Sequence, residues 1–160
     1  MILEDAHYMD DMKYFAIEGH ANTDFEAIHL CAQKLKEEGY VTDQFESNCI
    51  NREKEYPTGL PTVVPVAMPH SEASGVVKNA ICMLKLDKPV CFRRMDDETE
   101  EISAKMVFNL ALTDSSHMEI LQHLMGLFAD TDKMQDLYDT DVVNLPEKLA
   151  AYIKQGQESE

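Results

Sequence analysis

The first candidate for a chemically active residue is a histidine at the end of an apolar stretch. His70 follows Ala67, Met68 and Pro69, where a predicted strand would leave its sheet and present side chains at the rim. Pro69 fixes its own φ and restricts the residue before it, so the backbone that carries His70 is stiff. A neutral imidazole there could act as a nucleophile, acid, base or ligand. Local sequence alone favours a simpler interpretation, a strand-end histidine that makes one hydrogen bond.

His117 is the second candidate, because it lies in the first turn of a predicted helix. The pattern Ser116-His117-Met118-Glu119 is a capping box. Free backbone N–H groups and the positive end of the helix dipole favour an anion at this position. The dipole also disfavours imidazolium, so a neutral His117 could donate a hydrogen bond to a phosphoryl oxygen. A surface histidine at a helix start fits the spacing equally well.

The other histidines are predicted to be structural. His7, His20 and His29 lie in an acidic stretch, a loop and a helix flank. His123 lies about 240° around the helix from His117, so the two cannot form a same-face ligand pair. A metal-dependent hydrolase would need ligands that this spacing does not supply, so we predict no metal.

A loop of turn residues could contribute further phosphate ligands. Arg52 precedes the Tyr56–Gly59 loop, and its guanidinium could bind phosphoryl oxygens through two nitrogens if the loop lies beside His70. Thr58 offers a hydroxyl for phosphate binding, and Gly59 a backbone that can approach closely or take a positive φ. A surface Arg–Glu pair and ordinary turn chemistry explain these residues equally well.

The hydrophobic pattern predicts the elements that position these residues. Strands are predicted at Lys13–Glu18, Thr62–Met68, Ala80–Leu86 and Ala104–Leu112, with Pro65 at an edge or bulge. Helices are predicted over 24–38, from Asp43, from His117 with a mostly buried apolar face, and from Asn144. The run Arg93–Glu101 is predicted to be a solvated loop without an acid/base pair. This order predicts an α/β fold, a three-layer sandwich whose mixed central β-sheet is flanked by helices on both faces.

Length and charge limit the class of protein. The 160 residues predict a single domain over 1–160, with 1–12 and 155–160 as frayed ends. No stretch is long enough for a membrane span, and the acidic N-terminus is unlike a signal peptide, so we expect a cytoplasmic protein. The net charge of −16 argues against nucleic acid and anionic membranes as partners. The four cysteines lack Cys-x-x-Cys spacing and are expected to be reduced.

Three ordered motifs carry a family resemblance. They are Arg52-Glu53-x-x-x-Pro57-Thr58-Gly59-Leu60, Val66-Ala67-Met68-Pro69-His70 and His117-x-x-Ile120-Leu121. In this order they resemble the enzyme IIA family of the bacterial sugar phosphotransferase system, in its fructose/mannitol branch. The stretches Lys88–Met95 and Phe108–Leu112 are most similar to galactitol-type members.

The resemblance implies roles for the candidate residues and for the chain. His70 matches the phosphorylated histidine, His117 the second active-site histidine, and Arg52 the arginine that lines the pocket. The implied function is a phosphoryl carrier that receives the group from HPr and passes it to a cysteine of enzyme IIB, and thus indirectly serves the membrane enzyme IIC. No cofactor is implied. A regulatory module of the same fold, whose phosphorylation controls a protein partner, remains the alternative.

Overall fold

A computed structural model gives the structure of the protein and describes residues 12–113 and 117–158. The elements in chain order are β1 (Lys13–Gly19), α1 (Asp24–Glu37), α2 (Gln44–Glu55), β2 (Gly59–Leu60), β3 (Val66–Ala67), β4 (Ala80–Arg93), β5 (Glu101–Ala111), α3 (His117–Phe128), α4 (Thr131–Asp139) and α5 (Leu145–Glu158). No helix in the described ranges combines the length and apolar character that crossing a membrane would require.

The described strands form one mixed sheet in the order β1-β4-β5-β3-β2. β1 is parallel to β4, β4 is antiparallel to β5, β5 is parallel to β3, and β3 is antiparallel to β2. The carboxyl ends of β3 and β5 therefore meet at one edge of the sheet, and those of β1 and of the paired part of β4 lie at the opposite edge.

Each face of the sheet carries its own hydrophobic core, because side chains alternate along a strand. In β4, Ile81 and Met83 join the core on the side of α3, α4 and α5. Their neighbours Cys82 and Leu84 join the core on the side of α1 and α2. This arrangement confirms the three-layer sandwich predicted from the sequence.

The start of α1 follows the sequence signals closely. Thr23 precedes the helix, and its hydroxyl accepts a hydrogen bond of 3.1 Å from the backbone N–H of Glu26. Gly39, two residues beyond the helix, has φ +86°, a conformation that glycine adopts without strain. The predicted helix over 24–38 is confirmed.

The strand predicted over Thr62–Met68 is wrong, because only Val66–Ala67 pairs with the sheet. The Thr62 hydroxyl donates to the carbonyl of Val64 at 2.8 Å, which bends the chain before it reaches β5. Pro65 then follows without an N–H to contribute to a ladder.

Strand β4 is longer than predicted, because its antiparallel ladder with β5 extends it past Leu86 to Arg93.

Other boundaries and exposures also differ from the sequence predictions. α4 was not predicted; it begins after Asp130, whose carboxylate accepts from Lys133 N at 3.1 Å. Residues 155–158 continue α5, and Met12 is buried, whereas the predicted fraying of 1–11 and 159–160 falls outside the described residues. Met118 and Met125 of α3 are exposed, so its apolar face is less buried than predicted. The predicted capping box rests on Ser116, which also lies outside the described part.

Candidate functional site

His70 lies three residues beyond the end of β3, in the connecting segment 68–71 that we call the turn of His70. Its Nδ1 is 2.8 Å from the backbone carbonyl oxygen of Met68. A carbonyl oxygen can only accept, so Nδ1 carries a proton and donates it. In the neutral ring the lone pair then resides on Nε2, which makes Nε2 the nucleophilic atom. The side chain is 7% exposed.

Strand β5 holds this turn from one side. The carbonyl of Pro69 accepts two hydrogen bonds, from Leu110 N at 2.9 Å and from the side-chain Nδ2 of Asn109 at 3.0 Å. Asn109 is fully buried and interrupts the apolar second half of β5, residues 106–111. Burying an amide is costly unless it makes hydrogen bonds, so this side chain is placed where it fixes the backbone before His70.

The loop before β2 holds the turn from the other side. The hydroxyl of Thr58 accepts a hydrogen bond of 3.2 Å from Met68 N. The same hydroxyl donates to Oε1 of Glu53 at 2.9 Å, and Thr58 N donates to Oε2 at 2.8 Å. The role predicted for Arg52 requires that this loop lie beside His70. The hydrogen bond between Thr58 and Met68 N places the loop against the backbone of the turn, so this requirement is met. Phosphate binding by Thr58 remains a prediction, and its contacts support a role in holding the turn.

Glu53 is a buried acid with an unusual environment. Burial raises the pKa of its carboxyl to about 7, although the two hydrogen bonds from Thr58 act in the opposite direction. The negative charge of Asp24 raises this pKa further, and the positive charge of Arg93 lowers it. Glu53 is therefore an acid that changes its charge near neutral pH.

The charged run predicted Arg93 to be a solvated loop residue, and this prediction is wrong. Arg93 ends β4, and its Nη2 donates to the backbone carbonyls of Glu53, at 3.1 Å, and Lys54. A cation at the carboxyl end of a helix satisfies carbonyls that have no partner within the helix and complements its dipole. Arg93 thus ties the end of α2 to the sheet. The extension of β4, which the sequence did not reveal, brings it there.

Gly59 allows the loop to approach the sheet closely. A Cβ atom at this position would lie 2.6 Å from the backbone oxygen of Arg93 and 2.9 Å from Cγ1 of Ile102. Of the two properties predicted for this glycine, the structure shows the close approach and not a positive φ. A larger residue would push the Thr58 loop away from the turn of His70.

Arg52 lies in the last turn of α2, beside the segment that follows His70. Its guanidinium carbon is 5.1 Å from the centre of the Tyr56 ring, and among the described residues no acceptor reaches its buried Nε. Arg52 and Ser71 line the same groove of about 440 Å³. The full lining is Asn48, Asn51, Arg52, Glu55, Tyr56, Ser71, Glu72 and Ser74. The structure therefore brings Arg52 to the vicinity of the turn.

His117 is the first residue of α3, and its side chain lies outside the described part of the structure. β5 ends at Ala111, at the same sheet edge as the turn of His70, and α3 begins shortly afterwards. The topology thus directs the amino terminus of α3 toward this edge. The role of His117 remains a prediction.

The thiol of Cys49, which lies 3.6 Å from Nδ2 of Asn109, does not compete with His70 as a nucleophile. Burial raises the pKa of Cys49 to about 12, so it stays protonated at neutral pH. Cys31 and Cys82 are also buried, and Cys91 is exposed. Within residues 12–113 and 117–158, no group of three or more His, Cys, Asp or Glu side chains is arranged to hold a metal ion.

Sequence reasoning assigned no role to Glu53 or Asn109, although a signal existed for both. The buried positions of α2 are Phe45, Cys49 and Glu53, four residues apart, so an acid falls on the buried stripe of this helix. Asn109 is a polar residue inside the apolar second half of β5. A polar residue on a buried face indicates a specific partner, and here the partners lie in the turn and its loop.

The fold and this site define a class: an α/β domain that holds a histidine, with Nδ1 hydrogen-bonded to a backbone carbonyl, at one end of its sheet and near an arginine. The chain belongs to the family described as phosphoenolpyruvate-dependent sugar phosphotransferase system, EIIA 2, whose model matches residues 11–155. EIIA components are phosphotransferases that carry a phosphoryl group, and the chain is one of them.

Individual relatives agree with this assignment. The galactitol-specific EIIA component of Escherichia coli strain K12 is 24% identical over 134 residues, which cover 83% of this chain and 89% of that protein. In a complex of enzyme IIAMTL with phosphorylated enzyme IIBMTL from Escherichia coli, the matched chain has a TM-score of 0.65 at 20% identity, with coverage of 89% and 94%. The nitrogen regulatory protein IIA-Ntr of Neisseria meningitidis has a TM-score of 0.67 at 19% identity, with coverage of 91% and 94%. The two structural likenesses concern the fold.

Proposed function

We propose that this protein is a cytoplasmic phosphoryl carrier that accepts a phosphoryl group on Nε2 of His70. The donor is the phosphohistidine of HPr, and the acceptor is a cysteine of an enzyme IIB, which serves a membrane enzyme IIC. The observation that carries the proposal is the hydrogen bond from Nδ1 of His70 to the Met68 carbonyl, because it leaves the lone pair on Nε2.

The transfer is a displacement at phosphorus. The lone pair of Nε2 forms a new P–N bond as the P–N bond to the donor histidine breaks, and the donor nitrogen keeps that electron pair. Because Nδ1 retains its proton, the later leaving group is a neutral imidazole. A neutral leaving group keeps the phosphoryl group transferable to a thiolate. Each additional 1.4 kcal/mol of stabilisation of phospho-His70 would slow onward transfer about tenfold.

Arg52 and His117 are the groups we assign to the phosphoryl oxygens. Arg52 is suited to it by a buried Nε without an acceptor among the described residues, beside the segment that follows His70. His117 is suited to it by its place at the amino terminus of α3, where the helix dipole favours an anion. Neither arrangement requires a metal or an organic cofactor.

The galactitol-specific relative and the mannitol-specific relatives suggest a polyol pathway, and we propose galactitol or a related sugar or polyol as the transported substrate. The single domain spanning 1–160 is part of the same proposal. Nucleic acid is not among the proposed partners, since the net charge is −16.

The decisive experiment uses phosphoenolpyruvate, enzyme I and HPr as the phosphoryl source. We expect an acid-labile phosphate on the protein that His70→Ala abolishes, because the variant lacks the nucleophile. His20→Ala is the matched control, because His20 also follows a strand, and it should be labelled like the wild type. Labelling of His70→Ala at the wild-type rate would refute the proposal. His117→Ala should retain slower labelling or transfer less to IIB.

A regulatory role is the second candidate, suggested by the shared fold with a nitrogen regulatory protein. In that case phosphorylation of His70 would change the affinity for a protein target. The two are separated by adding enzyme IIB proteins to the labelled chain. Transfer to a IIB cysteine supports the carrier, whereas labelling by HPr without transfer to any IIB supports the regulator.

A further inference from the structure

Glu53 combines features that an ordinary buried position would not require. It is 3% exposed, and among the described residues no lysine or arginine side chain forms an ion pair with its carboxylate. A buried carboxylate is costly unless it is well supplied with hydrogen bonds. Its described partners are the backbone N–H and the hydroxyl of Thr58. The carboxylate is thus devoted to holding one residue.

Thr58 connects this carboxylate to the turn of His70. Its hydroxyl donates to Glu53 at 2.9 Å and accepts from Met68 N at 3.2 Å. The carbonyl of the same Met68 accepts from Nδ1 of His70 at 2.8 Å. A continuous path of hydrogen bonds therefore runs from the end of α2 to the imidazole ring, through both backbone groups of one residue.

We propose that Glu53 is a positioning residue for phosphoryl transfer at His70, which acts through the Thr58 hydroxyl on the backbone of Met68. The inference rests on the proposed function, since it takes His70 as the phosphoryl acceptor. Glu53 does not touch the reacting atoms. It fixes the direction of the Thr58 hydroxyl, and so keeps the oxygen lone pair of Thr58 aimed at Met68 N and the Met68 carbonyl aimed at the ring.

A carboxylate suits this role better than an amide of the same shape. Thr58 presents two donors, and an ionised carboxylate has an acceptor oxygen for each. A glutamine has one acceptor oxygen and an NH₂ group that would face a donor. Thr58 must then rotate or leave one donor without a partner, and either change disturbs the bond to Met68 N. Glu53→Gln therefore tests the charge and the acceptors with little change of volume.

Protonation of Glu53 should have the same effect as the amide, because one oxygen becomes a donor. The charged groups that face this carboxyl are Asp24 at the start of α1 and Arg93 at the end of β4, and Thr58 faces it from the loop. The carboxyl changes its charge at about pH 7, where transfer would take place. The wild-type rate should therefore include an ionisation near pH 7 that Glu53→Gln lacks.

The experiment compares phosphoryl transfer from phospho-HPr with the ¹⁵N NMR spectrum of the His70 ring. For Glu53→Gln and Thr58→Val we expect kcat to fall roughly 10- to 100-fold with KM for phospho-HPr unchanged, since the ring is misplaced while the docking surface is intact. The His70 spectrum should change from one tautomer protonated at Nδ1 to a mixture. Thr58→Ser, which keeps the hydroxyl, should restore most of the rate that Thr58→Val loses.

Asp136→Asn is the matched control. Asp136 also accepts a hydroxyl hydrogen bond, from Tyr152, but it lies on α4, away from the turn. It should leave both the rate and the His70 spectrum unchanged. Rates are expressed per folded molecule, measured from the amide NMR spectrum of each variant.

Two outcomes would overturn the proposal. One is a wild-type rate and pH profile in Glu53→Gln with an unchanged His70 spectrum. The other is a rate loss that is fully accounted for by unfolded protein, which would make Glu53 merely structural. Failure of the proposed function is a separate result: His70→Ala would still be labelled, while the ring spectra would still report whether Glu53 orients His70.

Discussion

His20 and His70 both follow strands of the same sheet, at opposite edges, yet the structure gives them opposite chemistry. His20 is exposed, with Nδ1 2.9 Å from a carboxylate oxygen of Asp87 and Nε2 3.1 Å from the amide oxygen of Asn22. Both partners are acceptors, so the two ring nitrogens of His20 each face an oxygen that favours a proton on the ring. The hydrogen bond from the ring to Asp87 raises the pKa of His20 most. The hydrogen bond to Asn22 and the negative charge of Asp87 raise this pKa further.

His70 is buried, and its described ring partner is a neutral backbone carbonyl. A carbonyl selects a tautomer without stabilising a full positive charge as strongly as a carboxylate does. The ring can therefore keep a lone pair on Nε2. Position after a strand therefore does not make a histidine a nucleophile; the acceptors around the ring do.

The largest effect expected from this comparison is on the pH dependence of stability, because the acid near His70 is buried and the acid at His20 is exposed. The folded pKa of Glu53, about 7, lies above the reference value of 4.5, so the folded state holds a proton that the unfolded chain has lost. The free energy of unfolding contributed by Glu53 should therefore fall as pH rises from 4.5 to about 7. The fall should reach up to about 3 kcal/mol.

Urea unfolding of the wild type and Glu53→Gln at several pH values between 4.5 and 7 checks this. The stability difference between the two proteins should change with pH, because the variant lacks the titrating group. In Asp136→Asn the difference should stay flat over this range, because hydrogen bonds lower the pKa of Asp136 and place its transition at more acidic pH. Parallel curves for the wild type and Glu53→Gln would contradict the buried titration.

A smaller effect is expected when the β5 side of the turn is weakened. Asn109→Leu removes the side-chain hydrogen bond to Pro69, while Leu110 N still donates to the same carbonyl. We expect stability to fall by about 1–2 kcal/mol and phosphoryl transfer to slow about tenfold. Urea unfolding and single-turnover labelling by phospho-HPr measure the two effects.

Asn144→Leu serves as the control for loss of an amide, since the Asn144 side chain pairs with Asp141 on the exposed surface. It should not slow transfer. A wild-type transfer rate in Asn109→Leu would show that the backbone hydrogen bond from Leu110 N is sufficient on this side of the turn. The contact with Thr58 would then be the side-chain contact that orients the turn.

The smallest effect is expected at His20. Asp87→Asn removes the carboxylate that raises the pKa of His20, so this pKa should fall toward 6.5. The raised pKa means that the pair adds stability below 6.5, which is lost as pH rises through the folded pKa of His20. Both side chains are exposed, so the change in stability should be slight.

Proton NMR titration of the His20 ring measures this shift, and the His70 resonances should not move, since the pair lies at the other edge of the sheet. An unchanged His20 titration in Asp87→Asn would show that Asn22 alone sets the state of the ring.

Much of the scaffold could be predicted, because its signals are local. The Thr23 cap and Gly39 bracket α1, and alternation within β4 assigns residues to the two faces of the sheet. The short extent of β3 could not be predicted, since the β propensity of Thr62–Met68 does not register the bend made by the Thr62 hydroxyl. The position of Arg93 could not be predicted either. Its charged neighbours in sequence indicate solvent, whereas the carbonyls that it binds lie in α2, far away in sequence.

The sequence by itself determined that His70 stands on a stiff backbone after an apolar stretch, because Pro69 restricts the chain whatever its surroundings. It also determined the family, through motifs whose order survives without any knowledge of contacts. Only the tertiary structure decided which nitrogen of His70 holds the proton and which buried groups fix the turn. Those properties depend on hydrogen-bond donors and acceptors that Glu53, Thr58 and Asn109 bring together from separate elements, and no local pattern encodes their distances.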